Sequence, residues 1–200
     1  MNSINRRAVV LCLVGLVPAA GVARAGDAYR VNGAEVVVVC PLTVGGSFEA
    51  KTKSVRGEVT ADSANPGSVD GALRVDLQTL ETGIAIRDRH MRETYLEVEK
   101  GGDFAVATVE QLHVDKLDGK TTFTGTLVLH GQRREIAGTA DLQRKNGAIR
   151  VQAQFPIKVS EYQISKPTYL GVGVRDEIQI KVTLTAEPSG LAVGTSGRDR

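Results

Sequence analysis

The sequence predicts an all-β protein built from consecutive antiparallel strands. Apolar and polar residues alternate along many short segments, turn-forming residues separate those segments, and one charged segment near residues 80–97 breaks the pattern. Alternation with a period of two is typical of strands that bury one face and expose the other. Antiparallel hairpins are the simplest way to connect strands in this order.

Four segments show the alternation most clearly. The cleanest is "DEIQIKVTLTAE" at 176–187, where Ile178, Ile180 and Val182 alternate with polar residues. The other apolar faces carry Leu73, Val75 and Leu77 in 71–80, Phe123, Leu127 and Leu129 in 121–131, and Val151 and Phe155 in 148–157. These eleven residues are the candidates for lining the interior.

Further strands are predicted by weaker alternation and by the turns between them. Gly beside Asn, Asp, Pro or other polar residues marks turns at 63–68, 117–120, 130–133 and 145–148, because glycine adopts positive φ without strain. The additional strand segments are 34–42, 45–52, 54–62, 103–114 and 134–144. Eight to ten such strands fit a sandwich or a barrel. We favour a barrel, because closure removes the edge strands and about eight strands leave room for one small ligand.

The segment "IAIRDRHMRETYLEV" at 84–98 is predicted to be a short amphipathic helix. Its apolar residues, at mixed spacings of three, four and seven, are Ile84, Met91, Tyr95 and Val98. The polar face is predicted to carry Arg87, Asp88, Arg89, Arg92 and Glu93.

The N-terminal residues resemble a cleaved secretory signal. Arg6 and Arg7 precede an apolar run at 8–23, and Ala23-Arg24-Ala25 has small residues at the two positions that a signal peptidase reads. The expected organisation is therefore a signal peptide at 1–25, one domain at 26–187 and a disordered Gly- and Ser-rich tail at 188–200. A retained membrane anchor is the alternative. Cleavage predicts a periplasmic protein.

Cleavage changes the charge balance and the cysteine count. The full chain has 25 basic and 23 acidic side chains, and residues 1–25 hold Arg6, Arg7 and Arg24 but no acid. The mature chain would carry 22 basic and 23 acidic groups, which gives no indication of nucleic-acid binding. Of the two cysteines, Cys12 leaves with the signal and Cys40 remains, so no internal disulfide is expected. Cys40 lies in an apolar strand and is interpreted as a small buried hydrophobe.

The sequence contains no recognisable catalytic or metal-binding constellation, and we expect no enzyme activity, cofactor or metal. The histidines are His90, His113 and His130. Asp88 and His90 are two positions apart and would point in different directions on a helix. His113 is expected at the surface, and His130, before a turn glycine, is expected to satisfy a loop carbonyl.

Arg87 and Asp88 have two interpretations. A guanidinium at the mouth of a barrel can bind a phosphate, carboxylate or quinone oxygen of a ligand. Alternatively, the adjacent Arg and Asp tie the helical turn to neighbouring backbone, and this structural role is the one we favour. The polar residues placed at the mouth under either interpretation are Arg87, Asp88, His90 and Arg92.

Two motifs in this chain resemble the YceI-like family. The first runs through Thr82-Gly83, Arg87-Asp88, His90, Met91 in place of Leu, Arg92, and Tyr95-Leu96 in place of two Phe. The second is Gly125, Leu127, His130 and Gly131 in "GTLVLHG", and the resemblance extends over most of residues 28–187. The chain departs from the family in lacking an early His, and in having Tyr162-Gln163 where Phe-Gly is usual.

The resemblance implies an extended eight-stranded antiparallel barrel, similar to lipocalins, with a short helical segment after an early strand. It also implies a periplasmic carrier of an amphiphilic lipid, either a polyisoprenoid, an isoprenoid quinone or a fatty-acid derivative. From the residues alone, a barrel solidly packed with its own side chains remains an alternative. A partner module for a membrane redox or stress-response system, an enzyme acting on such a lipid, and a homodimer also remain open.

Overall fold

The structure is a computed structural model that describes residues 27–61, 67–169 and 171–189. The predicted cleavage site after Ala25 and nearly all of the predicted tail lie outside the described residues. The strands are β1 Asp27–Pro41, β2 Ser47–Thr52, β3 Val55–Ala61, β4 Ser68–Asp76, β5 Val106–Val114, β6 Gly119–Leu129, β7 Gln132–Lys145, β8 Ala148–Lys158, β9 Thr168–Tyr169, β10 Val172–Gly173 and β11 Glu177–Pro188.

The helical elements are short and lie mainly between β4 and β5. The helix α1 Ala85–His90 continues directly into a π-helical turn, Met91–Tyr95, so the two form one continuous helical rod. Single 3₁₀ turns are found at Leu77–Thr79, Val98–Lys100, Gly102–Phe104 and Val159–Tyr162.

The antiparallel strands close into a barrel with eight wall positions. The strands pair in the order β11-β8-β7-β6-β5-β4-β3-β1-β2, and β11 returns to pair with β1, from Tyr29 opposite Pro188 to Val39 opposite Gln179. β2 and β3 share one position, because both pair with the long strand β1 in the same register. The predicted all-β, eight-stranded antiparallel barrel with a helical segment after an early strand is confirmed.

The structure adjusts several predicted boundaries. β1 begins at Asp27, seven residues before the predicted strand, because its first residues pair with both β3 and β11. β4 ends at Asp76, whose carboxylate accepts a hydrogen bond from the Gln78 backbone N–H at 3.0 Å and caps the following turn. The predicted segment 103–114 begins with a 3₁₀ turn, and its strand starts only at Val106.

One close approach inside the barrel requires a glycine. Phe123 of β6 and Phe155 of β8 lie on either side of β7 with their rings edge to face, 5.9 Å between centroids. A Cβ at Gly138 would lie 2.3 Å from the Gln154 carbonyl oxygen and 2.8 Å from each phenylalanine. The missing side chain therefore lets the two rings meet across the middle strand.

Candidate functional site

The predicted lining residues all belong to the apolar core of the barrel. Each lies at an inward-facing position of its strand or, for Leu77, in the 3₁₀ turn that follows β4. Six of these residues are buried, and five are only half-buried. The buried residues are Leu77, Phe123, Leu127, Leu129, Phe155 and Ile178, and the half-buried residues are Leu73, Val75, Val151, Ile180 and Val182. The residues thus divide into two groups that the alternation pattern alone does not distinguish.

The half-buried group forms a belt around the middle of the barrel. On β5, β8 and β11 the partly accessible inward positions lie between buried inward positions of the same strand, and on β4 they lie between Val69 and Leu77, which begins the next turn. We call these eight residues the interior belt: Leu73, Val75, Val109, Leu112, Val151, Ala153, Ile180 and Val182. β4 and β5 lie three or four strand positions from β8 and β11, so the belt residues come from opposite walls.

We infer from this pattern that the centre of the barrel is not completely filled by side chains. A side chain at the mouth of a barrel is accessible because its strand ends there, which applies to Val75, the penultimate residue of β4, but not to the belt residues of β8 and β11. Val109, Leu112 and Ala153 were missed as lining residues. Ala153 follows the alternation of Val151 and Phe155, but Val109 and Leu112 are three residues apart, because an irregularity near Gln111 interrupts the alternation in β5.

The helical segment completes the wall where β2 has no neighbour on one side. β4 pairs with β3 but ends before reaching β2, and the chain between β4 and β5 covers the free edge of β2. Lys51 and Glu81 exchange two backbone hydrogen bonds of 2.7 and 3.0 Å there, and the hydroxyls of Thr52 and Thr79 lie 2.6 Å apart. We call this end, with the β1–β2 turn and residues 77–104, the helical end of the barrel.

Arg87 and Asp88 both contact Thr82, at the turn that precedes α1. Oδ1 of Asp88 accepts hydrogen bonds from the Thr82 backbone N–H at 2.7 Å and from the Thr82 hydroxyl at 2.5 Å. Arg87 Nε donates to the same hydroxyl at 2.8 Å, and its guanidinium lies 4.3 Å from the centre of the Phe48 ring. Arg92 donates to the Leu80 carbonyl at 2.9 Å. These are the contacts expected of the structural role.

The burial of Asp88 differs from the prediction, which placed it on an exposed polar face. Only 7% of Asp88 is accessible, whereas Ile84, predicted on the apolar face, is 50% exposed. The helix is oriented with Asp88 inward because Thr82, six residues earlier in the chain, donates a hydrogen bond to the Asp88 carboxylate. Burial opposes ionisation of Asp88, but the hydrogen bonds from Thr82 and the charges of Arg92 and Arg87 outweigh it and lower its pKa.

Cys40 lies on the inner side of β1 and packs against the core. Burial raises the pKa of its thiol to about 11, and the nearby charge of Arg87 opposes this only in part. A thiol with a raised pKa is a weak nucleophile at neutral pH, in agreement with the interpretation of Cys40 as a small hydrophobe.

The three histidines occupy different environments. His90 and His113 are exposed, and His90 is therefore separated from its buried neighbour Asp88. His130 is buried, with Nδ1 3.0 Å from the Tyr162 carbonyl oxygen and Nε2 3.1 Å from a Glu97 carboxylate oxygen. It satisfies a loop carbonyl, as predicted, and also connects the helical segment to the turn after β8.

The described residues offer neither a metal-binding cluster nor a membrane-spanning helix. No group of three or more His, Cys, Asp or Glu side chains in 27–61, 67–169 and 171–189 could hold a metal ion. Within the same ranges, no helix is long and apolar enough to cross a membrane.

Fold and interior together define a closed antiparallel β-barrel with half-buried aliphatic residues on two opposite walls and a helical segment covering one side. The model of the YceI-like domain family matches residues 29–186, which is most of the chain. The chain belongs to the YceI-like domain family, and the resemblance seen in its motifs is confirmed.

Solved structures with the same fold differ widely from this chain in sequence. BcnA of Burkholderia cenocepacia matches with a TM-score of 0.62 at 17% identity, covering 76% of this chain and 95% of that one. A polyisoprenoid binding domain from Saccharophagus degradans matches with a TM-score of 0.61 at 20% identity, covering 81% and 99%. The YceI protein of Campylobacter jejuni matches with a TM-score of 0.53 at 17% identity, covering 72% and 87%.

A curated relative is similar over a shorter region. A UPF0312 protein of Vibrio cholerae serotype O1 is 32% identical over 87 residues, which are 42% of this chain and 44% of that protein. The match thus spans less than half the length of this relative.

Proposed function

We propose that the barrel binds one amphiphilic lipid non-covalently in its central space, either a polyisoprenoid, an isoprenoid quinone or a fatty-acid derivative. The observation that carries this proposal is the interior belt, whose aliphatic residues face inward but are only half-buried, although buried inward residues flank them on β5, β8 and β11. The similarity in fold to a polyisoprenoid binding domain supports the choice of ligand class.

The chemistry of the belt favours a long apolar chain. Its eight residues are Leu, Val, Ile and Ala, which carry no hydrogen-bonding group in their side chains. Each CH₂ that moves from water into such a space contributes about 0.8 kcal/mol. A chain of isoprene units or methylenes therefore gains affinity along its whole length.

The same chemistry favours binding over catalysis. None of the belt side chains can transfer a proton or act as a nucleophile, and His130 is engaged by Tyr162 and Glu97 outside the belt. An enzyme acting on the lipid is the second class of function. We favour it less, because catalysis would need a convergent polar group beside the bound chain.

The pattern of residues 1–25 supports export to the periplasm, where we propose that the protein acts. In that compartment a barrel with an apolar interior can carry or sequester a lipid that water does not dissolve. A membrane redox partner and a homodimer remain alternatives that need their own evidence.

The proposal is tested by filling the central space from one wall. Ala153 is a small belt residue of β8, and the variant Ala153→Trp would place an indole among the belt residues. Ala137 is exposed on β7, so Ala137→Trp adds the same group at the outer surface and is the matched control. The probe is cis-parinaric acid, a fatty acid that fluoresces strongly in an apolar cavity. The chain contains no native Trp, which keeps its background emission low.

We expect the wild type and Ala137→Trp to bind the probe at one site, and Ala153→Trp to bind it at least about tenfold more weakly. Circular dichroism checks that both variants are folded. Equal probe binding by a folded Ala153→Trp protein, or no binding by the wild type, would refute the proposal.

A further inference from the structure

Arg87 is a half-buried arginine at the helical end of the barrel that uses only part of its hydrogen-bonding capacity. A guanidinium carries five N–H donors. Nε donates to the Thr82 hydroxyl at 2.8 Å, and Nη2 donates to the Thr82 carbonyl oxygen at 3.4 Å. Among the described residues, no acceptor bonds to Nη1 and no carboxylate forms an ion pair with Arg87. This leaves both hydrogens of Nη1 and one of Nη2 for water or a ligand.

Thr82 and Asp88 fix the position of this guanidinium. The Thr82 hydroxyl accepts from Arg87 Nε and donates to the Asp88 carboxylate, which also accepts from the Thr82 backbone N–H. The guanidinium carbon lies 4.3 Å from the centre of the Phe48 ring. The contacts of the structural role therefore occupy the Nε side. The Nη1 side remains free, and it needs little further ordering to bind a ligand.

A row of half-buried inward residues connects the interior belt to Arg87. Ile180 of the belt lies opposite Val38 in the ladder between β11 and β1, and Cys40 is the next inward residue along β1. Cys40 lies opposite Phe48 in the ladder between β1 and β2, and the Arg87 guanidinium lies over the Phe48 ring. All four strand residues of this row pack against the core and are only half-buried. A ligand chain that follows the row from the belt reaches the guanidinium with its end.

The positive charge of Arg87 acts towards this row. Its charge lowers the pKa of the half-buried Cys40 thiol against the effect of burial. Asp88 attracts Arg87, but the Asp88 carboxylate is bound by Thr82, and its charge attracts Arg92 as well. The other charged side chains of residues 81–93 are exposed, and they are Glu81, Arg89 and Glu93. A half-buried guanidinium with free donors favours an anionic group that reaches it from the barrel.

We propose that Arg87 binds the anionic end of the ligand, a carboxylate or a phosphate, while the apolar chain lies along the interior belt. The inference rests on the proposed function and narrows it, because it selects an acidic lipid over a neutral quinone or alcohol. The Nη1 and Nη2 donors of a guanidinium match two oxygens of a carboxylate or phosphate. A neutral oxygen gains less from the same donors. This role adds to the structural one, since Nε stays bound to Thr82.

The experiment compares an acidic ligand with its neutral counterpart on the same protein. The fluorescent probes are cis-parinaric acid and its methyl ester, which share one chain and differ in charge. Farnesyl phosphate and farnesol, as competitors of the ester, form the second pair and distinguish a phosphate from a carboxylate. The variants are Arg87→Gln and Arg87→Lys. Arg89→Gln, which changes an exposed arginine of the same helix, is the matched control.

We expect the wild type and Arg89→Gln to bind the acidic member of a pair about tenfold more tightly than the neutral one. Without a cation at the site the order is reversed, because the neutral ligand avoids the cost of desolvating an anion. Arg87→Gln should therefore lose the preference, while its affinity for the ester changes little. Arg87→Lys keeps the charge but loses the paired donors, and it should keep part of the preference. A loss of stability lowers both affinities alike and leaves their ratio unchanged.

A wild type that binds neither acidic ligand more tightly than its neutral counterpart overturns this inference. An Arg87→Gln protein that keeps the wild-type ratio also overturns it, even if that protein melts at a lower temperature. If Arg87→Gln does not fold, the ratios of the wild type and Arg87→Lys decide. A ratio that depends on Arg87 in only one pair supports the inference and identifies the anionic group as a carboxylate or a phosphate. The proposed function fails separately, because the wild type then binds neither the acid nor the ester.

Discussion

Removing the Asp88 carboxylate should destabilise the barrel at neutral pH. In the variant Asp88→Ala, the backbone N–H and the hydroxyl of Thr82 both lose their acceptor, and Arg87 and Arg92 lose a nearby negative charge. Hydrogen bonds to a charged group contribute about 1.5–3 kcal/mol each. Because the two bonds share one oxygen, we expect a loss of about 2–4 kcal/mol in the free energy of unfolding.

For a domain of this size, that loss lowers the melting temperature by about 5–15 °C. Asp88→Asn keeps an oxygen that accepts from Thr82 but removes the charge, and should cost about half as much. Glu135→Ala, which removes an exposed carboxylate from β7, is the control and should change the melting temperature little. Thermal unfolding followed by circular dichroism measures all four proteins.

The effect of Asp88 should depend on pH in a defined direction. The pKa of Asp88 is lower in the folded protein than the ordinary value, so the folded state favours the ionised form. Its stabilising contribution is therefore complete at pH values above the ordinary pKa of about 3.9 and is lost as the pH falls through the lowered folded value. The difference between wild type and Asp88→Asn should be largest at pH 7 and shrink in acid. Equal melting temperatures for wild type and Asp88→Ala at pH 7 would refute the structural role of this carboxylate.

Three further substitutions test other parts of the structure. Gly138→Ala should lower the free energy of unfolding by about 1–3 kcal/mol in urea titrations, because its methyl group would overlap the Gln154 carbonyl and the Phe123 and Phe155 rings; an unchanged midpoint would contradict the close packing. His130→Asn keeps a residue type that tolerates positive φ but removes one of the two contacts that His130 makes with Tyr162 and Glu97. It should lower the free energy of unfolding by about 1–3 kcal/mol. Faster proteolysis of the helical segment in this variant would support its anchoring role, and wild-type resistance would count against it. Arg87→Gln should lower the melting temperature without ligand, whereas unchanged stability with weaker probe binding would favour the head-group role.

Local alternation predicted most of the strands, because a strand that buries one face leaves a period of two in its own sequence. The turn glycines similarly located the hairpins. Closure of the barrel depends on pairing between Tyr29 and Pro188 at opposite ends of the domain. Alternation within each strand carries no information about that pairing, so the residues alone favoured a barrel over a sandwich only modestly.

The orientation of the helix could not be predicted from its own periodicity. Ile84 fitted an apolar face and Asp88 a polar one, but the hydrogen bonds from Thr82 pull the carboxylate inward and leave the isoleucine exposed. The contact between His130 and Glu97 likewise joins residues 33 positions apart. The eleven predicted lining residues lie in the core as expected, but which of them face free space depends on packing across the barrel. Their role in binding a ligand stays a prediction.

The central claim is that the space inside the belt holds a lipid, and native mass spectrometry tests it most directly. The wild type, Ala137→Trp and Ala153→Trp are each collected from the periplasm of a secretion host, and the lipids in each preparation are extracted and identified. The account predicts one bound lipid on the wild type and on Ala137→Trp, and none on a folded Ala153→Trp. A wild-type barrel that carries no lipid, and acquires none when incubated with a long-chain prenol or fatty acid, would contradict it.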